Sequence, residues 1–274
     1  MVQWTGRRSC LVLSLRLMRA GIVLLFLASC ASDLRAQTAF KQVEHQKLHW
    51  YGYFGTLRFN ERWSLISDIQ ERRFLDPDAQ HQLVMRTQLQ RELVDGWAVA
   101  IGMCRFLQSP NDPQSASDLV VPELRPHAEI SSKQRAGRWC IGHRFRTEAR
   151  FFHGTQGEAL SGGYTFSNIR VRYRLSCDVP LVKAKEKDLE RLTLRVADEL
   201  HVNFGSNIVH NAFDQNRIMV GLQTAVSKSV AIELGYLSWY QQRPSGVQYY
   251  ARDIVRIAVH HHLHFGPERE PPAH

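Results

Sequence analysis

After residue 37 the chain contains no apolar run of the length that a membrane-spanning helix needs, which is roughly 20 residues. Backbone polar groups inside a bilayer must be satisfied within the protein, so only helices and closed β-barrels cross it. If the protein sits in a membrane by more than a lipid anchor, it must therefore do so as a barrel.

Cysteines are few, and beyond the N-terminal region their number is odd. Cys10 and Cys30 belong to that region, which leaves the widely spaced Cys104, Cys140 and Cys177. Three isolated thiols suggest neither a disulfide framework nor a zinc site. We therefore expect no metal site built on cysteine.

Recognisable catalytic and nucleotide-binding motifs are also missing. The sequence has no Gly-rich phosphate loop, Walker motif, nucleophile elbow or aromatic–basic platform for nucleic acid. The high pI of about 9.6 is weak support for a nucleic-acid partner, because removing residues 1–36 takes away five Arg and one Asp and lowers the formal charge from +9 to +5. We expect no cofactor, no nucleic-acid partner and no enzymatic activity.

An export signal is the clearest feature of the N-terminus. The apolar segment Gly21–Ser29 has the length of a signal-peptide core and follows four arginines, Arg7, Arg8, Arg16 and Arg19. Two endings stay open: cleavage after Ala36, or a lipobox, Leu27–Cys30, in which Cys30 is lipidated. A start at Met18, or an uncleaved segment, is a third alternative. We assign residues 1–36 to the signal peptide, 37–265 to a barrel and 266–274 to a Pro-rich tail.

Hydrophobic residues in the rest of the chain alternate with a period of two. Within 138–151, Trp139, Ile141 and Phe145 share one face, and Arg144 and Arg146 share the other. A half-buried strand shows this alternation and a helix does not. Similar runs occur at 48–60, 62–74, 81–93, 97–107, 122–134, 169–175, 191–203, 213–226, 230–241 and 255–260. The pattern predicts an all-β fold.

Short connections alternate with longer ones along these runs. Tight turn signals stand at 60–61, 95–96, 135–137 and 227–228, and longer polar loops at 75–80, 108–121, 152–162, 204–212 and 242–246. Strands of about 9–14 residues exceed the usual length of about 5–6 and suit tilted membrane strands, and aromatic residues fall near their ends. We predict a single antiparallel transmembrane β-barrel of about 10–12 strands in the outer membrane of a Gram-negative cell.

The strand count raises a conflict. About eleven strands can be counted, whereas a barrel with both termini at one rim needs an even number. Either residues 38–47 supply a further strand or one strand has been divided wrongly.

Several short segments, taken in order, resemble a known family. They are Trp50-Tyr51, Glu71–Arg73, Tyr173–Leu175, Asp198–Leu200 with Asn203, Phe213–Arg217, Glu233–Leu237 and Gln241–Arg243. Over roughly residues 45–265 the chain resembles the family called domain of unknown function 2490, predicted outer-membrane barrels of Bacteroidetes and proteobacteria. The resemblance implies a barrel and an outer-membrane address, but no activity and no catalytic residues.

The C-terminus departs from the usual end of an outer-membrane barrel. A final aromatic such as Phe265 suits recognition by the barrel-assembly machinery, a partner we expect during biogenesis. Here the Pro-rich residues 266–274 follow it, and they cannot continue a strand ladder.

The polar face of the strands is predicted to line the lumen. Its charged members are Arg144, Arg146, Glu148, Arg150, Arg170, Arg172, Arg174, Arg195, Glu199, Arg217, Glu233 and Arg256. One interpretation is a narrow channel for small anionic solutes, since rings of Arg lower the barrier for anions. The alternative is a structural or interaction barrel whose lumen is filled by Arg–Glu pairs.

Three other clusters are weaker candidates for chemistry: Glu199 with Glu233 as an acid–base pair, His260–His264 as a metal tract, and a loop hydrolase site of Ser206, Asn207, His210 and Asp214. Both glutamates should stay ionised among so many arginines. Alternate histidines on a strand span about 13 Å, too far for one tetrahedral zinc. The loop offers no oxyanion hole. We therefore predict no catalytic and no metal site, with an outer-membrane hydrolase as a distant third hypothesis.

Overall fold

The computed structural model describes residues 41–183, 190–208 and 210–265, and these residues form eleven β-strands. The strands are β1 (Gln42–Arg58), β2 (Trp63–Phe74), β3 (Gln80–Glu92), β4 (Trp97–Gln108), β5 (Val121–Ala136), β6 (Trp139–Gln156), β7 (Ala159–Lys183), β8 (Glu190–Phe204), β9 (Phe213–Ala225), β10 (Val230–Gln242) and β11 (Gln248–His264). In this part of the chain no helix is long and apolar enough to cross a membrane. The predicted signal peptide, the lipobox at Cys30 and the Pro-rich tail lie outside the described residues.

The predicted all-β fold is confirmed, and alternation decides which side chains face inward. In β6, Arg146 and Glu148 are buried inside the barrel, while Phe145, which precedes Arg146, is 48% exposed on the outside. Aromatic and β-branched residues favour the extended backbone of such a wall. The same alternation continues around the sheet, so the inner surface is polar and the outer surface is apolar.

The strands form one closed barrel in which sequential neighbours pair antiparallel. The first and last strands, β1 and β11, close it by pairing parallel, with Gln42 opposite Gln248 and Arg58 opposite His264. The expectation of an even strand number is therefore wrong for the described residues. Residues 42–47 form no separate strand, because they are the first part of β1.

The loop predicted at 152–162 is also wrong. Strands β6 and β7 continue to pair through this segment, with Thr155 opposite Leu160 and Gln156 opposite Ala159, and only residues 157–158 turn. Glycine and polar residues obscure the alternation here, and two register shifts interrupt it. The two strands therefore form a long hairpin that ends in a tight turn.

The connections divide between two rims of different character. The connections 59–62, 93–96, 137–138 and 226–229 lie at one end, which we call the short-turn rim. The longer connections 75–79, 109–120, 205–212 and 243–247 lie at the other, the long-loop rim, together with the two-residue turn 157–158. Because the strand number is odd, β1 begins at the long-loop rim and β11 ends at the short-turn rim.

The outer wall is apolar and has aromatic residues toward both ends. Ile101 is 68% exposed and Leu234 59% exposed, although neither is near a rim. Exposed aromatics stand toward the short-turn rim (Trp97, Trp139, Phe265) and toward the long-loop rim (Tyr164, Phe166, Phe204). A water-soluble barrel has the opposite distribution, with apolar side chains inside, whereas a wall that faces lipid requires this one.

Close approach of β3 and β4 requires glycine at position 102. A Cβ atom there would lie 2.4 Å from the Thr87 carbonyl oxygen and 2.5 Å from the Gln88 Cβ atom. We expect Gly102→Ala to lower both the yield of folded barrel and its urea midpoint, because the backbone of β3 must move. The measurement is heat-modifiable migration on gels together with urea unfolding.

Gly163→Ala in β7 is the matched control, since nothing lies within 4 Å of a Cβ atom at that position. It should fold like the unmodified protein. Equal yields and midpoints for the two variants would contradict the close strand packing at Gly102.

Candidate functional site

A cavity of about 520 Å³ occupies part of the barrel interior. Its wall reaches the short-turn rim at Arg58, Gly96 and Lys133, and its deepest part includes Trp50 and Leu237. We call this cavity the cup. Among the described residues, the cup therefore opens toward the short-turn rim.

Apolar side chains close the other end of the lumen. Leu48, Phe74, Trp239 and Ile254 are at most 2% exposed. A single row of cross-strand partners supplies most of this closure: Ala197, Met219, Leu237, Ile254, Leu48 and Phe74, each paired with the next on the neighbouring strand. We call it the apolar row, and its members pack into one buried cluster. The cup is therefore blind.

The β4–β5 loop, residues 109–120, adds a second closure at the long-loop rim. Gln46 donates from Nε2 to the Asn111 carbonyl oxygen at 2.9 Å, and Arg252 donates from Nη2 to Asn111 Oδ1 at 3.2 Å. The loop joins β4 and β5, whereas Gln46 lies on β1 and Arg252 on β11. Because neither β4 nor β5 is next to β1 or β11 in the barrel, the loop reaches across the mouth at the long-loop rim. Arg252 is itself held by Gln46 and Gln241.

The structure places all twelve charged residues predicted for the lumen on the inner face. Eleven line the cup, and the twelfth, Arg150, binds the buried Glu123 at 2.6 Å. The cup wall as a whole carries twelve Arg and one Lys against seven carboxylates. Adding Glu123 and Asp214, which pair with Arg125 and Arg170 of the wall, still leaves four more cations than carboxylates.

One ion network spans β5 to β8. Glu199 accepts from Arg144 Nη2 at 2.5 Å and from Arg172 Nη2 at 2.8 Å. Arg172 also donates from Nη1 to Glu148 at 2.6 Å, and Arg146 lies 2.5 Å from Glu129. All of these groups are largely buried, so each carboxylate depends on its arginines for compensation.

A second network surrounds Glu233, which is fully buried. It accepts from Arg195 Nη1 at 2.9 Å, pairs with Arg256, and lies 3.3 Å from His260 Nε2. Gly221 and Gly235 face each other across β9 and β10, and a Cβ atom on Gly221 would approach the Glu233 side chain to 3.6 Å. The paired glycines lie in one cross-strand row between Arg195 and Arg256, the two arginines that reach this carboxylate.

Four arginines of the cup wall have no carboxylate within ion-pair distance among the described residues. They are Arg58 at the rim, and Arg72, Arg174 and Arg217 farther in. Arg72 bonds Gln82 and Gln70, and Arg217 bonds Gln215. Alternation along strands predicts that Arg174 and Arg217 face inward. Both stand opposite Glu199 in the cross-strand register, but that carboxylate bonds Arg144 and Arg172, so neither alternation nor register shows which arginines lack an ion pair.

The other candidate clusters are dispersed. Glu199 and Glu233 belong to separate ion networks. His260 and His262 line the cup, while His261 faces outward and its Nδ1 is 2.8 Å from Tyr53 Oη. Within the described residues no group of three His, Cys, Asp or Glu side chains could hold a metal ion.

The loop cluster proposed around Ser206 does not assemble in the part of the chain that the structure describes. Asp214 turns into the barrel and pairs with Arg170 at 3.0 Å. Asn207 donates to the Ser167 carbonyl oxygen at 3.0 Å. No hydrogen bond between described residues links these side chains to His210.

Arg73 and Asp78 show how a charge pair behaves outside the lumen. Arg73 Nε donates to Asp78 Oδ1 at 2.7 Å in the β2–β3 connection. The hydrogen bond from Arg73 lowers the pKa of the Asp78 carboxyl below its ordinary value. Because Asp78 is exposed to water, this pair contributes little to stability.

Comparison with known proteins gives one match. A family model described as "Protein of unknown function (DUF2490)" matches residues 48–250. No curated protein and no solved structure matches the chain.

Arg172 and Arg174 offer a matched test of the ion networks. Both are on the inner face of β7, but Arg172 pairs with two buried carboxylates, whereas Arg174 has none within ion-pair distance among the described residues. We expect Arg172→Gln to lower the free energy of unfolding by about 3–5 kcal/mol, since Glu148 and Glu199 then lose a partner. Arg174→Gln should change it by less than about 1 kcal/mol. Urea unfolding of the refolded barrel measures both.

Asp78→Asn serves as the exposed control and should leave the urea midpoint unchanged. A loss of similar size for the Arg172 and Arg174 variants would show that arginine packing, and not charge pairing, stabilises this wall.

Proposed function

The chain belongs to the DUF2490 family of proteins of unknown function, and from this premise we propose that it is an outer-membrane β-barrel of a Gram-negative cell. Its lumen would admit small anionic solutes from the short-turn rim into the blind cup. The observation that carries the proposal is the excess of cations over carboxylates in the wall of that cup.

The membrane address is supported by the outer wall. A closed sheet leaves no strand edge unpaired, which is the condition for a sheet in lipid. The exposed apolar side chains, with aromatic residues toward both rims, match the band and girdles of outer-membrane barrels. Outer-membrane lipid and, during biogenesis, the barrel-assembly machinery would be the partners.

The anionic class of solute is supported by the charge balance of the cup. Buried cations without counter-charges are unfavourable unless an anion compensates them. A cavity of about 520 Å³ is large enough for a small metabolite. The mouth at the short-turn rim carries Arg58 and Lys133 as well, which would attract anions toward the opening.

A structural or interaction barrel without transport is the second candidate. The apolar row and the β4–β5 loop favour it, because together they close the lumen at the long-loop end. It differs from the first candidate in one respect: it predicts no binding of anions in the cup.

The membrane address has a direct test. We expect the natural protein to be recovered in the outer-membrane fraction and to migrate faster on gels when it is not heated, as folded barrels do. Recovery in the soluble periplasmic fraction would contradict the proposal.

Liposome swelling tests whether the cup is blind. Vesicles with the refolded protein should not swell in small sugars or organic anions, because the apolar row blocks passage. A Phe74→Ala/Trp239→Ala variant should allow swelling that falls with solute size, since both rings are part of the closure. Phe106→Ala, which removes a ring from the cup wall, is the control and should stay closed.

Swelling by the unmodified protein would show that the lumen is an open channel. If the double variant folds but its vesicles do not swell, the β4–β5 loop alone is sufficient to block the lumen.

A further inference from the structure

We propose that the floor of the cup contains a subsite for a doubly charged phosphoryl group, carried by a small phosphate monoester. Arg72 and Arg217 would bind the phosphoryl oxygens, and Trp50 would donate a hydrogen bond. The inference rests on the proposed function, in which the cup is the solute site, and names the chemical class of the solute.

The two arginines flank one pair of indole rings. Arg72 Cζ lies 3.8 Å from the ring centroid of Trp50 and 5.5 Å from that of Trp239. Arg217 Cζ lies 4.3 Å from Trp239 and 5.5 Å from Trp50. Arg72 comes from β2 and Arg217 from β9, so strands on both sides of the β1–β11 closure bring their charges to the same rings.

Both guanidinium groups donate hydrogen bonds only to neutral side chains among the described residues. Arg72 is 3% exposed and bonds the amide oxygens of Gln82 and Gln70. Arg217 donates from Nε to Gln215 Oε1 at 2.9 Å. The aromatic faces give further cation–π stabilisation, but neither amides nor rings supply a negative charge. Two cations thus share the floor, and neither has a carboxylate within ion-pair distance among the described residues. Glu199, which stands opposite Arg217 on β8, bonds Arg144 and Arg172 instead.

Hydrogen-bond donors at the floor also lack acceptors. Trp50 is buried, lines the cup, and has no partner for its indole Nε1. Arg72 Nε is buried without a partner as well. Since an indole N–H and a guanidinium can only donate, a ligand that completes this site must bring acceptor oxygens.

Charge and geometry together favour a phosphoryl group over a carboxylate. A phosphate monoester at neutral pH carries nearly two negative charges and three strong acceptor oxygens. It can therefore neutralise both arginines, accept bidentate hydrogen bonds from their planar groups, and still accept from Trp50. A single carboxylate neutralises one arginine and leaves the other unpaired.

The test is a titration of tryptophan fluorescence in the refolded, detergent-solubilised full chain at constant ionic strength. The probes are glucose 6-phosphate, inorganic phosphate, acetate and glucose. We expect glucose 6-phosphate to bind, inorganic phosphate to bind at the same floor, acetate to bind at least about tenfold more weakly, and glucose not to bind.

Variants separate a defined subsite from general attraction by positive charge. Arg72→Gln and Arg217→Gln should each weaken glucose 6-phosphate binding at least about tenfold, the loss expected for charge-assisted hydrogen bonds. Arg174→Gln removes the same charge from the cup wall away from the indole pair and should weaken it by less than about threefold. Arg217→Lys keeps the positive charge but loses the planar, forked guanidinium group. It is the variant to use if Arg217→Gln fails to fold.

Each outcome has a distinct meaning. Equal losses in all three glutamine variants, or acetate binding as tightly as glucose 6-phosphate, would overturn the phosphoryl subsite but leave an anion-binding cup. Tighter binding of inorganic phosphate than of the ester would overturn the monoester as ligand. Absence of binding by every anion to the folded protein would overturn the proposed function itself.

Discussion

The pairing of β1 with β11 is the constraint on which the rest of the barrel depends. It joins residues 42–58 to residues 248–264 without a break. Without it the sheet would have two long edges with unpaired backbone groups, which is unfavourable in water and prohibitive in lipid. Closure also curves every strand, and this curvature brings side chains from distant parts of the chain to a common interior.

That interior combines two kinds of packing. Toward the short-turn rim, buried arginines and carboxylates compensate one another and leave water-accessible space. Toward the long-loop rim, the apolar row and Trp239 fill the interior and exclude water. Arg72 and Arg217 lie at the boundary, where the indole rings cover them on one side and the cup begins on the other. Two arginines without an ion pair among the described residues therefore lie at the depth at which the lumen closes.

Alternation in the sequence predicts the strands well and their neighbours poorly. The strand predicted at 62–74 is observed at Trp63–Phe74, and that at 213–226 at Phe213–Ala225. The family resemblance is confirmed over residues 48–250. Period two places Arg172 and Arg174 on one face, but it does not show that Glu199 bonds the diagonal Arg172 and not Arg174 directly opposite it. The sequence does not reveal the apolar row either, since each of its members comes from a different strand.

The odd strand number has a consequence for how barrels of this topology can change in size. The wall consists of five hairpins and one single strand, so it cannot be divided into hairpins alone. Insertion or loss of a whole hairpin would change the circumference and keep the number odd. Every such step would keep the parallel pairing of β1 with β11, which we call the seam. It would also keep the start of the first strand and the end of the last strand on opposite rims. Lumen width could thus diverge among descendants without any change in the seam.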